Sequence, residues 1–149
     1  MSSSVVLSLE AMAQGVFGRI ITGELPSWKV YEDDRALAIL DINPVNKGHA
    51  LVIPKRDYPN VYEIPEDLFS HIMLVAKRLA PAIKEAVGAD GINITMNNDT
   101  AAGQLMLDHA HIHVIPRFFG DGHEPWHGKE PYEEGEKEKI VEKIKTALN

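Results

Sequence analysis

The 149-residue chain contains no cysteine. That absence excludes disulfide scaffolds, thiolate nucleophiles and every zinc site built on cysteine. Basic residues are scarce too: 15 Lys and Arg stand against 22 Asp and Glu, a formal net charge of −7. Such a balance argues against a nucleic-acid partner, because binding a phosphate backbone needs clustered cations that release counterions. A small anionic substrate remains compatible with it, since a few local donors suffice. Long hydrophobic runs are also missing. No stretch approaches the roughly 18 apolar residues of a spanning helix, so no membrane partner is expected. The opening residues lack the basic start and apolar stretch of a signal peptide, and the expected location is cytoplasmic.

What is present suits one soluble domain. With 44% apolar residues, a chain of this size buries roughly 70% of its unfolded surface and needs neither disulfide nor metal to hold its core. We expect residues 1–13 to be an N-terminal extension and residues 14–149 to be a single domain that includes a C-terminal helical tail. Residues 14–23 read as a short helix with Val16, Phe17, Ile20 and Ile21 apolar, closed by Gly23 and Pro26. Short apolar runs at 28–31, 37–40 and 50–53, separated by turn-rich segments, read as consecutive antiparallel strands. From 67 to 87, Leu68, Ile72, Val75, Leu79, Ile83 and Val87 recur every three or four positions and predict the longest helix, with a kink at Pro81. Residues 92–96 and 109–115 alternate as strands. Residues 133–149 carry Ile140, Ile144 and Leu148 at spacing four and predict a terminal amphipathic helix. The fold class is therefore α+β, with a largely antiparallel five-stranded sheet, one long helix and a C-terminal helix.

The sharpest chemical feature is His109-Ala110-His111-Ile112-His113-Val114-Ile115. In a strand, successive side chains alternate faces, so three imidazoles share one face while Ala110, Ile112 and Val114 take the other. Same-face neighbours stand roughly 6.5 to 7 Å apart, close enough for several imidazoles to engage one small ligand. Neutral histidine serves near pH 7 as nucleophile, donor or acceptor. A solvent-facing strand with coincidental histidines is the bland alternative. A metal site is the other, and no carboxylate or cysteine close behind the triplet completes a familiar ligand pattern. Upstream, residues 97–104 form a small-residue loop in which Gly103 permits close approach of an anion to backbone N–H groups. Asp41 closes a strand, where a carboxylate can accept both hydroxyls of a ribose or merely organise a turn.

Together these pieces resemble the histidine triad family of nucleotide-binding hydrolases and transferases. The resemblance is carried by Val16-Phe17-Gly18-Arg19-Ile20-Ile21, Pro26-Ser27-Trp28-Lys29-Val30-Tyr31-Glu32-Asp33-Asp34 and Leu40-Asp41-Ile42-Asn43-Pro44. It continues in Gly48-His49-Ala50-Leu51-Val52-Ile53-Pro54-Lys55, Ala102-Gly103-Gln104 and residues 109–117, all in family order. It implies that His111 attacks the α-phosphate of a purine nucleotide, giving a nucleotidyl-histidine that water hydrolyses. His113 would bond the phosphate or leaving group, while His109 and His49 would hold the imidazoles in usable tautomers. Asn97 and the backbone at Gly103 and Gln104 would hold phosphate oxygens, Asp41 the ribose, and Phe17, Ile20 and Ile42 the base. A homodimer is likewise implied.

Departures from the family pattern bear on these expectations. Gly15-Val16-Phe17-Gly18 stands where many relatives carry Cys-x-x-Cys, and Asp57 where they carry a histidine, so the structural zinc is expected to be absent and no cofactor is implied. Asp99 occupies a usual glycine position, which predicts a different turn. Four residues, Leu105 to Asp108, replace the usual three before His109, and Leu105 replaces the usual Ser or Thr; a β-bulge would absorb the insertion. His123-Glu124-Pro125-Trp126-His127 spells a zinc-protease motif, but Pro125 and the surrounding glycines forbid the helix it requires. His71 reads as an ordinary surface or interface histidine. The resulting expectation is a metal-independent nucleotidyl hydrolase. The expected reaction is dinucleoside polyphosphate hydrolysis, favoured by Pro116-Arg117 and the extended C-terminus, with purine nucleoside phosphoramidase activity, favoured by the Gly15 to Gly18 segment, as the alternative. A nucleotide sensor or scaffold with little turnover is the further alternative.

Overall fold

The computed structural model describes residues 15–124, 128 and 130–149. The expected extension at 1–13, Gln14, and the motif residues Pro125, Trp126 and His127 lie outside them. The chain divides into two compact units, one ending at Phe119 and the other Gly120–Asn149.

In the first unit, α1 (Val16–Ile21) precedes β1 (Lys29–Glu32), β2 (Ala36–Leu40) and β3 (Ala50–Pro54). Then come α2 (Glu66–Val87), β4 (Gly91–Thr95), a 3₁₀ turn (Thr100–Ala102) and β5 (Ile112–Arg117). The five strands form one sheet in the order β1-β2-β3-β5-β4, antiparallel throughout. The period-two pattern explains its two faces. Ala36, Ala38, Ala50, Val52, Ile112 and Val114 point one way and pack on Leu68, Ile72, Val75, Leu79 and Ile83, the stripe of α2 that the spacing predicted, together with Ala76 and with Ile64 just before the helix. Leu37, Ile39, Leu51 and Ile53 point the other way, onto Phe17 and Ile20 of α1. The long helix continues through Pro81 and closes on Gly88 in the left-handed conformation.

Three expectations need correction. The strand expected at 109–115 is laddered only from Ile112. Its pairing with β3 stops at Val52↔Ile112, because Pro54 has no N–H to donate and its carbonyl accepts His109 Nε2–H at 2.8 Å. The Ala110 amide bonds Tyr58 O instead. No bulge interrupts the ladders of β5; the additional residue is absorbed in the loop before it. His71 is not an ordinary surface residue. Its Nε2 lies 2.6 Å from Asp33 Oδ2, which also accepts Tyr31 Oη–H at 2.6 Å, while Asp33 Oδ1 takes the amides of Arg35 and Ala36 at 2.8 and 2.7 Å. The β1–β2 turn is thereby tied to α2, and these donors hold the Asp33 carboxyl far below the usual range despite its partial desolvation.

The second unit contains α3 (Glu136–Leu148). Its apolar residues Ile140, Val141, Ile144 and Leu148 are all exposed within that unit. His123 and Glu124 lie outside any helix.

Candidate active site

A cavity of about 560 Å³ opens on the α1 side of the sheet. Phe17 and Ile20 of α1, Asp41 and Ile42 after β2, His49 before β3, Asn97 and Gly103 of the 97–104 loop, and His111 and His113 all line it. The alternation of β5 puts His113 on this face, since its neighbours Ile112 and Val114 are fully buried under α2. The predicted site residues are thus brought together, with two exceptions. His109, 2% exposed, lies behind the cavity, edge-on to Phe17 with ring centroids 5.6 Å apart. Gln104 is buried as a brace: Oε1 accepts the Asp99 amide at 2.7 Å, and Nε2 donates to Pro59 O and Met106 O.

Hydrogen bonds fix the imidazole tautomers. His111 Nδ1 faces its own chain's His109 carbonyl at 3.1 Å, so Nδ1 carries the proton and Nε2 keeps its lone pair. His49 Nδ1 accepts the Val45 amide at 3.0 Å, which leaves the proton on His49 Nε2. That proton is donated to His113 Nδ1 at 2.8 Å, and His113 therefore carries its own on Nε2. The result is a directed chain, Val45 N–H to His49 to His113, ending in a donor. Burial lowers the pKa of all four imidazoles. For His113 the neighbouring His111 and His49 add to it, and the value falls to about 4. The set is neutral at pH 7. His111 stacks edge-on against Phe17 (4.9 Å) and His113 (4.8 Å), which fixes its ring.

Asp41 organises the turn: Oδ1 accepts the Asn43 amide at 2.8 Å, while Oδ2 lies 3.7 Å from His49 Nε2. The expected phosphate cradle differs. The amides of Gly103 and Gln104 are bonded within the loop, to Thr100 O and Asp99 O, so Gly103 contributes openness rather than a donor, and Asn97 is the polar side chain there. Asp99 has a positive φ, +70°, a conformation that costs about 1–3 kcal/mol for such a residue. Gln104 Oε1 and Tyr62 Oη, the latter donating to Asp99 Oδ2 at 3.0 Å, hold it there. Sequence reasoning missed Trp28, Leu105 and Met106 as lining residues. The available signal was apolar size at positions flanking turns.

Asp41, His49 and His113 offer ligand atoms within 4.8 Å of one another. Two imidazoles sharing a tetrahedral zinc at 2.0–2.1 Å would stand about 3.3 Å apart at their nitrogens, and His49 Nε2 and His113 Nδ1 are at hydrogen-bond separation instead. Nor do the residues fit a thiolate zinc site. A Cβ on Gly15 would fall 2.0 Å from Asp108 Oδ2, so a carboxylate fills that space.

A model of the HIT domain matches residues 22–120. The chain belongs to the HIT family. An uncharacterized HIT-like protein of Methanocaldococcus jannaschii is 47% identical over 107 residues, 72% of this chain and 81% of that protein. Adenylylsulfatase HINT3 of Arabidopsis thaliana is 46% identical over 102 residues, 68% of this chain and 51% of that protein, so the HIT chain spans about half its length. Adenosine 5'-monophosphoramidase HNT1 of Saccharomyces cerevisiae is 41% identical, over 68% of this chain and 61% of that one. Among solved structures, a HIT family member from Bacillus subtilis superposes with a TM-score of 0.82 at 37% identity, over 90% of this chain and 96% of that one. A zinc-bound histidine triad protein from Mycobacterium smegmatis does so with 0.72 at 34%, over 92% and 99%. The HIT fold expected from the sequence is therefore established, and with it membership of a family of nucleotide-binding hydrolases. No helix among the described residues is long and apolar enough to cross a membrane.

Proposed function

We propose that the protein hydrolyses a purine nucleoside 5'-phosphoramidate through a nucleotidyl-His111 intermediate and without a metal. The observation that carries the reading is the polarity of the imidazole set: a neutral His111 with Nε2 unprotonated beside a His113 whose Nε2 bears a proton. The Nε2 lone pair of His111 forms a bond to phosphorus as the bond from phosphorus to the amine breaks. The amine leaves with its electron pair, its nitrogen protonated from solvent, while His113 Nε2–H donates a hydrogen bond to the departing group. Water then splits the intermediate and gives up its proton to solvent, regenerating His111 and releasing the nucleoside monophosphate. Asn97 stabilises the phosphoryl oxygens, Asp41 takes the ribose hydroxyls, and Phe17, Ile20 and Ile42 pack on the base. His109 acts through His111, whose ring its carbonyl orients.

The leaving group is the point at which the geometry shifts the balance. None of the described residues lining the cavity is Lys or Arg, whereas a dinucleoside polyphosphate brings several negative charges beyond the α-phosphate, and in a water-poor site those need cations. Arg117, which favoured that branch in the sequence, bonds Asn93 Oδ1 on β4 and does not line the cavity. The name of the yeast relative, a monophosphoramidase, supports the same reading.

The test is product analysis after incubation with adenosine 5'-phosphoramidate and, separately, diadenosine tetraphosphate, each with chelator and with His111→Ala as control. Chelator-resistant AMP release from the phosphoramidate that disappears in His111→Ala is the expected result. Preference for the tetraphosphate would overturn the leaving-group assignment, and binding of AMP without turnover of either would favour a sensor. A cytoplasmic homodimer completes the reading; light scattering near the 16.5 kDa of one chain, rather than twice that, would count against the dimer.

A further inference from the structure

A second cavity, of about 280 Å³, opens where the chain leaves β3 and where it enters α2. It shares no lining residue with the active-site cavity, and its charge is different: none of the described residues lining the active site is Lys or Arg, whereas Arg35, Lys55 and Arg56 all line this one. In a chain of net charge −7, three cations on so small a lining are a local excess. Asp34 and Asp67 stand with them, and Tyr58 and Leu68, both packed in the core under α2, supply apolar surface.

Backbone bonds fix the cations while leaving their donors open. The Lys55 amide bonds Arg35 O at 2.8 Å, which carries the β2–β3 pairing one step past Ala36↔Pro54, and Asp33 Oδ1 takes the Arg35 amide at 2.8 Å. Arg35 Nη1 stands 3.9 Å from Asp67 Oδ2, too far for a hydrogen bond. Arg56 has no side-chain partner among the described residues. Lys55 reaches Glu32 at 3.1 Å, but Glu32 is shared with Lys29 at 3.2 Å. Two guanidinium forks are thus uncommitted, and such a fork matches the oxygens of a phosphate group. The two carboxylates only accept hydrogen bonds, so the remainder of the ligand must donate them, as hydroxyl groups do. The volume lies at the lower end of ligand pockets, roughly 300–1,000 Å³, which suits a small metabolite rather than a dinucleotide.

We propose that this cavity is a second ligand site and that it takes a sugar phosphate, with the phosphate on Arg35 and Arg56, the hydroxyls on Asp34 and Asp67, and the carbon skeleton against Tyr58. The experiment is an NMR titration of the isotope-labelled full chain with ribose 5-phosphate, inorganic phosphate and ribose, each separately, at constant ionic strength set with chloride. The expected result is a saturable shift of the amides at 34–35, 55–58 and 67–68 with ribose 5-phosphate, and weaker binding there of phosphate or ribose alone. The affinity should fall about tenfold in the double variant Arg35→Gln, Arg56→Gln and stay unchanged in His111→Ala. Both arginines are exposed, and amide shifts elsewhere in the spectrum verify that the double variant is folded. Shifts confined to residues 97–113 would report the active-site cavity alone and would overturn the second site, as would an unchanged affinity in the double variant. Equal affinities for inorganic phosphate and ribose 5-phosphate would overturn the assignment of the sugar.

Discussion

Acid should destabilise this protein through its active site, and His113→Gln isolates the effect. His113 has a folded pKa of about 4, against an ordinary value of 6.5. Below pH 6.5 the unfolded chain takes up a proton at this residue that the native state still refuses, so stability falls as pH falls, until the native imidazole also protonates near 4. The contribution is fully present above 6.5. The gap between 6.5 and about 4 sets a ceiling of about 3.4 kcal/mol, of which about 2.5 kcal/mol is lost between pH 7 and pH 4.5. Glutamine cannot titrate, and its carbonyl can still accept the His49 Nε2–H. Urea unfolding of wild type and variant at pH 7 and pH 4.5 gives four free energies. The variant is expected to be less stable at pH 7, yet its loss on acidification should be smaller than that of wild type, by about 1–2 kcal/mol once solvent screening of the partly exposed ring is allowed for. Carboxylates that titrate in the same window affect both proteins and cancel. Parallel losses in the two proteins would show that His113 titrates normally in the folded state, and the directed imidazole chain would lose its support.

The same burial holds the pKa of His111 below 6.5, so the acid limb of kcat/KM should have its midpoint below that value; a midpoint above it would mean that the nucleophile is not desolvated. Gly48 adopts φ +101°, and a Cβ there would meet Val87 Cγ1 at 2.9 Å. Gly48→Ala should therefore cost more than about 2 kcal/mol, and adding Val87→Ala should return the steric part but not the backbone part, as judged by urea midpoints; an unchanged midpoint in the single variant would contradict this. Asp33→Ala removes the acceptor for Tyr31, His71 and two backbone amides and should cost about 2–4 kcal/mol. A loss below about 0.5 kcal/mol in the same assay would show that the turn does not depend on it.

Much of the fold was legible because it rests on periodicity. The stripe from Leu68 to Ile83 and the alternation of 36–39, 50–53 and 112–114 each dictate which face is buried, and local chain geometry alone sets those periods. The gathering of Asp41, His49, Asn97, His111 and His113 around one cavity was legible too, since all five lie in the stretch that matches the HIT domain. What the sequence could not decide depends on partners distant along the chain. His109 reads like its two neighbours, yet it is the Pro54 carbonyl, 55 residues away, that turns it into a buried brace and ends the β5 ladder early. Gly103 and Gln104 look like an anion cradle until their amides are found bonded within the loop. His71 looks like a surface residue until Asp33 is brought to it. The tautomers follow the same rule: an imidazole is ambiguous in isolation, and only the Val45 amide and the His109 carbonyl, placed by the tertiary fold, decide which nitrogen carries the proton.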